Sequence, residues 1–185
     1  MLMGNLLPID PPMSDTTTVP AEQLQISAEH PIICPRLRVI EDWIDYNGHL
    51  NMAFYNVIFD KGVDYLFDYL GVGADYAKSG VGSCFTMQAH VNYLQELSLH
   101  DEVSVTMQIL DYDHKRIHYF EQMHHATEGY LAATSEQLCM HIDMTTRRSA
   151  SFPQAVQDKL QALMACHEQI DKPAQVGRSI GIRRS

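Results

Sequence analysis

The chain is poor in cysteine, in basic charge and in long apolar runs, and each shortage removes a class of function. Its four cysteines, Cys34, Cys84, Cys139 and Cys166, are widely and irregularly spaced, and none forms a C-x-x-C pair. That spacing offers no dithiol redox motif and no zinc-ribbon framework. With nothing else pointing to secretion, the cysteines read as free, mostly buried thiols of a reducing, cytoplasmic compartment. No cysteine has an obvious local activator, which argues against a thiolate nucleophile. Lys and Arg number 13 against 23 Asp and Glu, a net charge of −10. A surface of that sign does not suit nucleic acid or an anionic membrane as a general partner. No run reaches the roughly 18 apolar residues of a membrane span. The apolar stretch Met1 to Leu7 is short and lacks the basic flank of a signal peptide. Ten histidines are present, with His114, His118, His124, His125 and His141 crowded into the second half, but no H-E-x-x-H or Cys/His zinc spacing occurs. No metal site is therefore expected.

What remains is a chain of 185 residues with 45% hydrophobic content, enough for one domain with a real core. Residues 1–30 read as a disordered leader, broken by Pro8, Pro11, Pro12, Ser14 and Thr16 to Thr18. Residues 31–172 read as a single domain, and 173–185 as a polar, basic tail. Ile32 to Val39 is extended, with Pro35 marking an edge or a strand start. Met52 to Leu70 predicts a helix, with Phe54, Val57, Ile58, Leu66, Tyr69 and Leu70 near a 3.6 period and Gly71 as its stop signal. Gly62 inside that helix costs about 1 kcal/mol against Ala, which close packing against a sheet would justify. Asn56, Asp60, Asp64 and Asp68 make an i, i+4 polar row, the solvated face of the helix unless Asp60 or Asp64 faces a site.

Strand patterns follow a Gly-containing loop over 71–82 with room for a short helical turn: Cys84 to Leu94, Glu102 to Leu110, Arg116 to His125, and Tyr130 to Asp143. In the second of these Val103, Val105, Met107 and Ile109 alternate with polar residues. Asp111 to His114 and Thr127 to Gly129 read as the connecting turns, and strands joined by short turns imply an antiparallel sheet. Phe152 to Ile170 predicts a second helix with Pro153 in its first turn. An early apolar helix followed by antiparallel strands is an α+β pattern, in which the sheet must wrap the helix.

The most informative stretch is Asp45-Tyr46-Asn47-Gly48-His49-Leu50-Asn51, directly before the long helix. A carboxylate at the positive end of a helix can serve as base or nucleophile, and free backbone N–H groups there can hold an oxyanion. Asp, Asn and Gly are also ordinary turn and cap residues, so the spacing alone equally describes a loop that caps a helix.

The motif D-x-x-G-H-x-N, here Asp45, Gly48, His49 and Asn51, resembles the hot-dog-fold acyl-CoA thioesterases of the 4-hydroxybenzoyl-CoA thioesterase type. Tyr93-Leu94 followed by His100-Asp101-Glu102-Val103 is similar to that family's Y-L … G-D-x-V segment, with His100 where glycine is common. The likeness runs from about Cys34 to Asp143. Trp43 to His49, Asp64, Leu70-Gly71, Phe85 to Leu94, Lys115 to His118, Ser135 to Gln137 and His141 to Asp143 further resemble the subgroup that accompanies L-carnitine dehydrogenase and acts on betainyl-CoA. A generic short- or medium-chain thioesterase, a hydratase of the same fold and a non-catalytic acyl-CoA-binding protein are the alternatives.

The resemblance implies a sheet wrapped around the helix, a homodimer with sites between subunits, an acyl-CoA substrate and no separate cofactor. It makes Asp45 the catalytic carboxylate, as general base or nucleophile. His49 would orient Asp45 or the substrate carbonyl, or merely close the turn. Gly48, Asn51 and Met52 mark the oxyanion region at the helix start, and Asn51 would cap the helix. A quaternary ammonium needs aromatic or acidic neighbours, for which Trp43, Tyr46, Phe85 and Tyr65 are available, with Asp64 as counter-charge. His90 would line the substrate strand, and Lys115 and Arg116, with Arg147 and Arg148, would meet the coenzyme A phosphates.

Overall fold

A computed structural model describes residues 30–182; the expected leader lies outside them apart from its last residue. The first long helix, α1, spans Met52–Leu70. Asn51 caps it: its Oδ1 accepts the Ala53 N–H at 2.9 Å. Gly71 ends it in the left-handed region at φ 85°, its N–H bonded to the carbonyls of Phe67 and Asp68. The buried stripe runs through Tyr55, Ile58, Phe59, Gly62, Val63, Leu66 and Leu70. It corrects the expected face: Val57 is 38% exposed, and Phe54 and Tyr69 are only half-buried. The phase is set by Gly62, where a Cβ would sit 3.0 Å from Glu121 Oε1 and 3.1 Å from Val105 Cγ1. Backbone meets sheet at that point, so the stripe centres on it. Each large side chain it buries contributes about 1.5–3 kcal/mol.

All strand pairs are antiparallel. β1 (Ile32–Ile33) and β2 (Leu37–Arg38) lie on the edge of β4 (Glu102–Tyr112); β5 (Arg116–His125), β6 (Leu131–Asp143) and β3 (Gly82–Tyr93) continue the sheet, and β7 (Arg148–Ser149) pairs with the end of β6. Cys34, Pro35 and Arg36 separate β1 from β2, in keeping with an edge. Val103, Val105, Met107 and Ile109 are all buried, as their alternation predicts. Within the described residues β3 pairs only with β6, and its Phe85 and Met87 are 39% and 51% exposed.

Several boundaries differ from the sequence reading; β3 starts at Gly82 rather than Cys84. β4 continues through a bulge between Ile109 and Asp111 to Tyr112, so the turn into β5 is tighter than Asp111 to His114. Asp113 Oδ1 closes it by accepting the N–H groups of Lys115 and Arg116. The last helix, α3, spans Gln154–His167 rather than Phe152 to Ile170; Phe152 is extended and gives its N–H to the His114 carbonyl. The short helical turn for which the loop after α1 has room is present as α2 (Ala74–Lys78). His100, at the position where glycine is common in the resembling family, adopts φ 73°. That conformation is what favours glycine there.

Helix α3 buries Val156, Leu160 and Leu163 against Leu66, Leu70, Met107 and Ile109, closing the far end of the core. Its last residue, His167, docks on the edge of β4: Nδ1 accepts the Ile109 N–H at 2.8 Å. Gln108 is buried for the same reason, its Nε2 donating to the carbonyls of His167 and Ile170. The tail then reaches the sheet face away from α1, where the Gly177 N–H meets Glu136 Oε2 at 2.7 Å.

Burial lowers the His167 imidazole from 6.5 to about 4. The folded state therefore holds it neutral while the unfolded chain protonates it, and stability falls as pH drops below 6.5 towards 4. Urea denaturation is expected to show a loss from this site of about 2 kcal/mol between pH 7 and pH 5. His167→Asn, which keeps an acceptor near the Ile109 N–H but cannot titrate, should lose correspondingly less over that window.

Candidate active site

The loop that carries Asp45 is closed by its own backbone. The Asp45 N–H donates to the His49 carbonyl at 2.9 Å and the Gly48 N–H to the Asp45 carbonyl at 3.0 Å. Gly48 sits at φ 82°, a position suited to glycine. The loop is tied outward as well: the Asn51 N–H reaches the Trp43 carbonyl at 2.9 Å and the Leu50 N–H the Leu97 carbonyl at 2.7 Å. These bonds bring residues 45–52 against 93–97, the segment that leaves β3.

Between them lies a cleft of about 380 Å³ lined by Asp45, His49, Leu50, Met52, Tyr55, Tyr93, Leu94, Gln95 and Glu96. Asp45 is half-buried. Its Oδ1 accepts the Asn47 N–H at 2.7 Å, an Asx turn that orients the carboxylate. Of the backbone donors expected to serve an oxyanion, that of Gly48 is spent on the Asp45 carbonyl and that of Asn51 on the Trp43 carbonyl, while in the first turn of α1 those of Ala53 and Phe54 go to Asn51. The Met52 N–H, at the positive end of α1, takes no acceptor among the described residues.

His49 turns towards Glu96 rather than Asp45, with Nδ1 3.5 Å from Glu96 Oε2. Tyr55 is buried in the core and borders the cleft; its Oη donates to the Gln95 carbonyl at 3.3 Å. Burial raises its phenol to about 12, so it remains a neutral donor. Tyr93 stands edge-on to it, ring centroids 5.3 Å apart at 79°. The Tyr93 Oη donates to the Met52 carbonyl at 3.3 Å and accepts from Asn56 Nδ2 at 3.2 Å.

The other expected site residues lie elsewhere in the single chain. Trp43 stacks on Phe54 at 5.7 Å and packs on the core. Tyr46 is 98% exposed at the loop tip. Asp64 is exposed on α1, its carboxyl held above the ordinary range by desolvation and by Asp60 and Asp68. His90 and Arg116 line a second cavity of about 830 Å³, with His118 and Glu136 paired at 2.8 Å beside them. His90 and Glu136 are register partners one residue out of phase with Ser135 and Glu121. Strand alternation thus puts this cavity on the face away from α1. Arg116 is engaged by Asp113 Oδ2 at 2.8 and 2.6 Å, and Lys115 is in the same hairpin. Glu96 and the cleft-lining role of Tyr93 are not legible in the sequence. The one signal was the Tyr93-Leu94 pair, since nothing local connects residue 96 with residue 45.

A model of the thioesterase-like superfamily matches residues 39–160. A betainyl-CoA thioesterase of Pseudomonas aeruginosa is 35% identical over 144 residues, covering 78% of this chain and 91% of that protein. The L-carnitine dehydrogenase/betainyl-CoA thioesterase of Rhizobium meliloti is 33% identical over 159 residues, 86% of this chain; the match spans 32% of that longer protein. Among solved structures, a Staphylococcus aureus protein in complex with CoA is 34% identical with a TM-score of 0.76, covering 80% of this chain and 94% of its own. A Pseudomonas putida protein described as a candidate thioesterase is 37% identical with a TM-score of 0.72, covering 83% and 98%. The fold, the sequence match and the Asp45 loop agree: this chain belongs to the thioesterase-like superfamily of thioester hydrolases, with the hot-dog fold.

Proposed function

We propose that this chain hydrolyses betainyl-CoA in carnitine catabolism, in the cytoplasm and as a homodimer, with Asp45 as its catalytic carboxylate. One observation carries the reading. The Asp45 carboxylate and the unengaged Met52 N–H share a cleft at the start of α1, in a chain 35% identical to a betainyl-CoA thioesterase. The relative solved in complex with CoA supports the carrier half of the substrate.

In the proposed reaction the thioester carbonyl lies over the helix start, its oxygen towards the Met52 N–H. Asp45 takes a proton from water as the water oxygen bonds to the carbonyl carbon; alternatively Asp45 itself bonds to that carbon and water hydrolyses the resulting anhydride. In either route the C–S bond breaks, coenzyme A leaves as the thiolate and betaine as the carboxylate, and the two protons of water end on the departing thiolate and in solvent, which also restores the Asp45 carboxylate. One well-placed backbone donor stabilises the oxyanion by about 3–4 kcal/mol. Coenzyme A enters as part of the substrate, and the route calls on no further cofactor.

The homodimer reading rests on β3, whose outer edge has no strand partner among the described residues and whose Phe85 and Met87 are exposed. An open apolar edge of this length invites strand addition, and a second copy of β3 is its natural complement.

Two measurements test these readings. Thiol release from betainyl-CoA should fall by roughly a thousandfold in both Asp45→Ala and Asp45→Asn, in the middle of what a single acid–base group supplies; full activity in either variant would remove Asp45 from the chemistry. Sedimentation should give a particle of twice the 21.0 kDa chain mass, and a monomer that retains full activity would contradict the dimer.

A further inference from the structure

We propose that Glu96, together with the rings of Tyr55 and Tyr93, is the seat for a positive charge on the acyl group and so sets the substrate preference of the cleft. The inference rests on the thioesterase reading above and goes beyond it by assigning the specificity residues.

The geometry of a betainyl thioester is restrictive. One methylene separates its quaternary nitrogen from the reacting carbonyl, so the two centres are about 2.5 Å apart by ordinary bond lengths. Whatever holds the ammonium must therefore line the same cleft as Asp45. Trp43, Tyr46 and Asp64, the candidates suggested by sequence, do not line it. Glu96 does, and its backbone is anchored: the Tyr130 Oη donates to its carbonyl at 3.0 Å. On either side of it, the Gln95 N–H bonds the Ala132 carbonyl at 3.0 Å and the Leu97 carbonyl accepts from Leu50.

The charge balance points the same way. Among the described residues no Lys or Arg lines the cleft, whose carboxylates are Asp45 and Glu96. A trimethylammonium group donates no hydrogen bond and spreads its charge over its methyls, so it is held by a carboxylate and aromatic surface. Tyr93, 44% exposed and T-packed on Tyr55, supplies that surface. Once Asp45 has taken its proton, Glu96 remains as the counter-charge throughout the reaction. The substrate's own cation in turn offsets the repulsion between Glu96 and the developing oxyanion. An uncharged acyl group of the same shape has no such compensation, and an anionic one adds to the repulsion.

The test compares kcat/KM for betainyl-CoA with that for 3,3-dimethylbutanoyl-CoA, in which carbon replaces the charged nitrogen and the shape is kept. The parent should favour the cation, and Glu96→Gln should lower the ratio of the two values by about tenfold or more, the scale of a cation–carboxylate–aromatic contact. Glu96→Asp should restore much of the ratio, and Tyr93→Leu should lower it. If Glu96 served only to orient His49, Glu96→Gln and His49→Gln would depress both substrates alike; an unchanged ratio in a folded Glu96→Gln protein overturns the proposal. A parent that hydrolyses both thioesters equally also overturns it and leaves the thioesterase reading standing. A folded parent that hydrolyses neither, nor any other acyl-CoA, defeats that underlying reading.

Discussion

The structure depends on the seating of α1 on the sheet at Gly62. A side chain there would press on Glu121 Oε1 and Val105 Cγ1 at 3.0 and 3.1 Å; its absence lets helix backbone approach strand side chains directly. The approach sets the rotation of the helix, which buries Tyr55, Ile58, Phe59, Val63 and Leu66 together. It also sets the helix axis, and so brings the capped N-terminus against the segment leaving β3. Glu121 shows how close the contact is. The carboxyl is wholly shielded, and burial holds it well above the ordinary carboxylate range despite a 2.9 Å hydrogen bond from Gln137. Its Oε1 packs under the glycine and has no hydrogen-bond partner among the described residues.

That seating leaves the Asp45 loop free to be shaped by local bonds. The loop commits its donors both inward and outward: Gly48 to Asp45 and Asp45 to His49 within it, Asn51 to Trp43 and Leu50 to Leu97 beyond it. Of the loop and the helix start, Asp45, His49, Leu50 and Met52 line the cleft, and the Met52 N–H has no acceptor among the described residues. The other wall comes from a different part of the chain, and its Glu96, Tyr93 and Tyr55 give the cleft its negative and aromatic character.

Much of this was legible in the sequence. The helix Met52–Leu70 and strand Arg116–His125 are bounded by their own signals, an Asn cap and glycine stop in one case and turn residues in the other. The Asp45 loop could be singled out because its turn and cap chemistry is local. The buried face of α1 was read one position off at Val57, because Tyr, Phe and Val recur so densely that periodicity alone leaves the phase loose. The ends of β4 and α3 depart from their sequence patterns for a related reason: a bulge extends one, and the docking of His167 on the Ile109 N–H stops the other. Neither contact is written in neighbouring residues.

Composition, periodicity and turn chemistry thus determined the kinds of elements, their order, the wrapped-helix architecture and the place of the carboxylate. These are properties of short segments, governed by side-chain spacing and by hydrogen bonds between near neighbours. Only the tertiary structure decided which groups share the cleft with Asp45. It moved Trp43 to the core and Tyr46 to solvent, placed His90 and Arg116 on the far face, and brought Glu96 and Tyr93 to the cleft. The physical reason is that one residue's shift in strand register or helix phase turns a side chain from one face to the other. Long-range packing, with Gly62 at its centre, sets both.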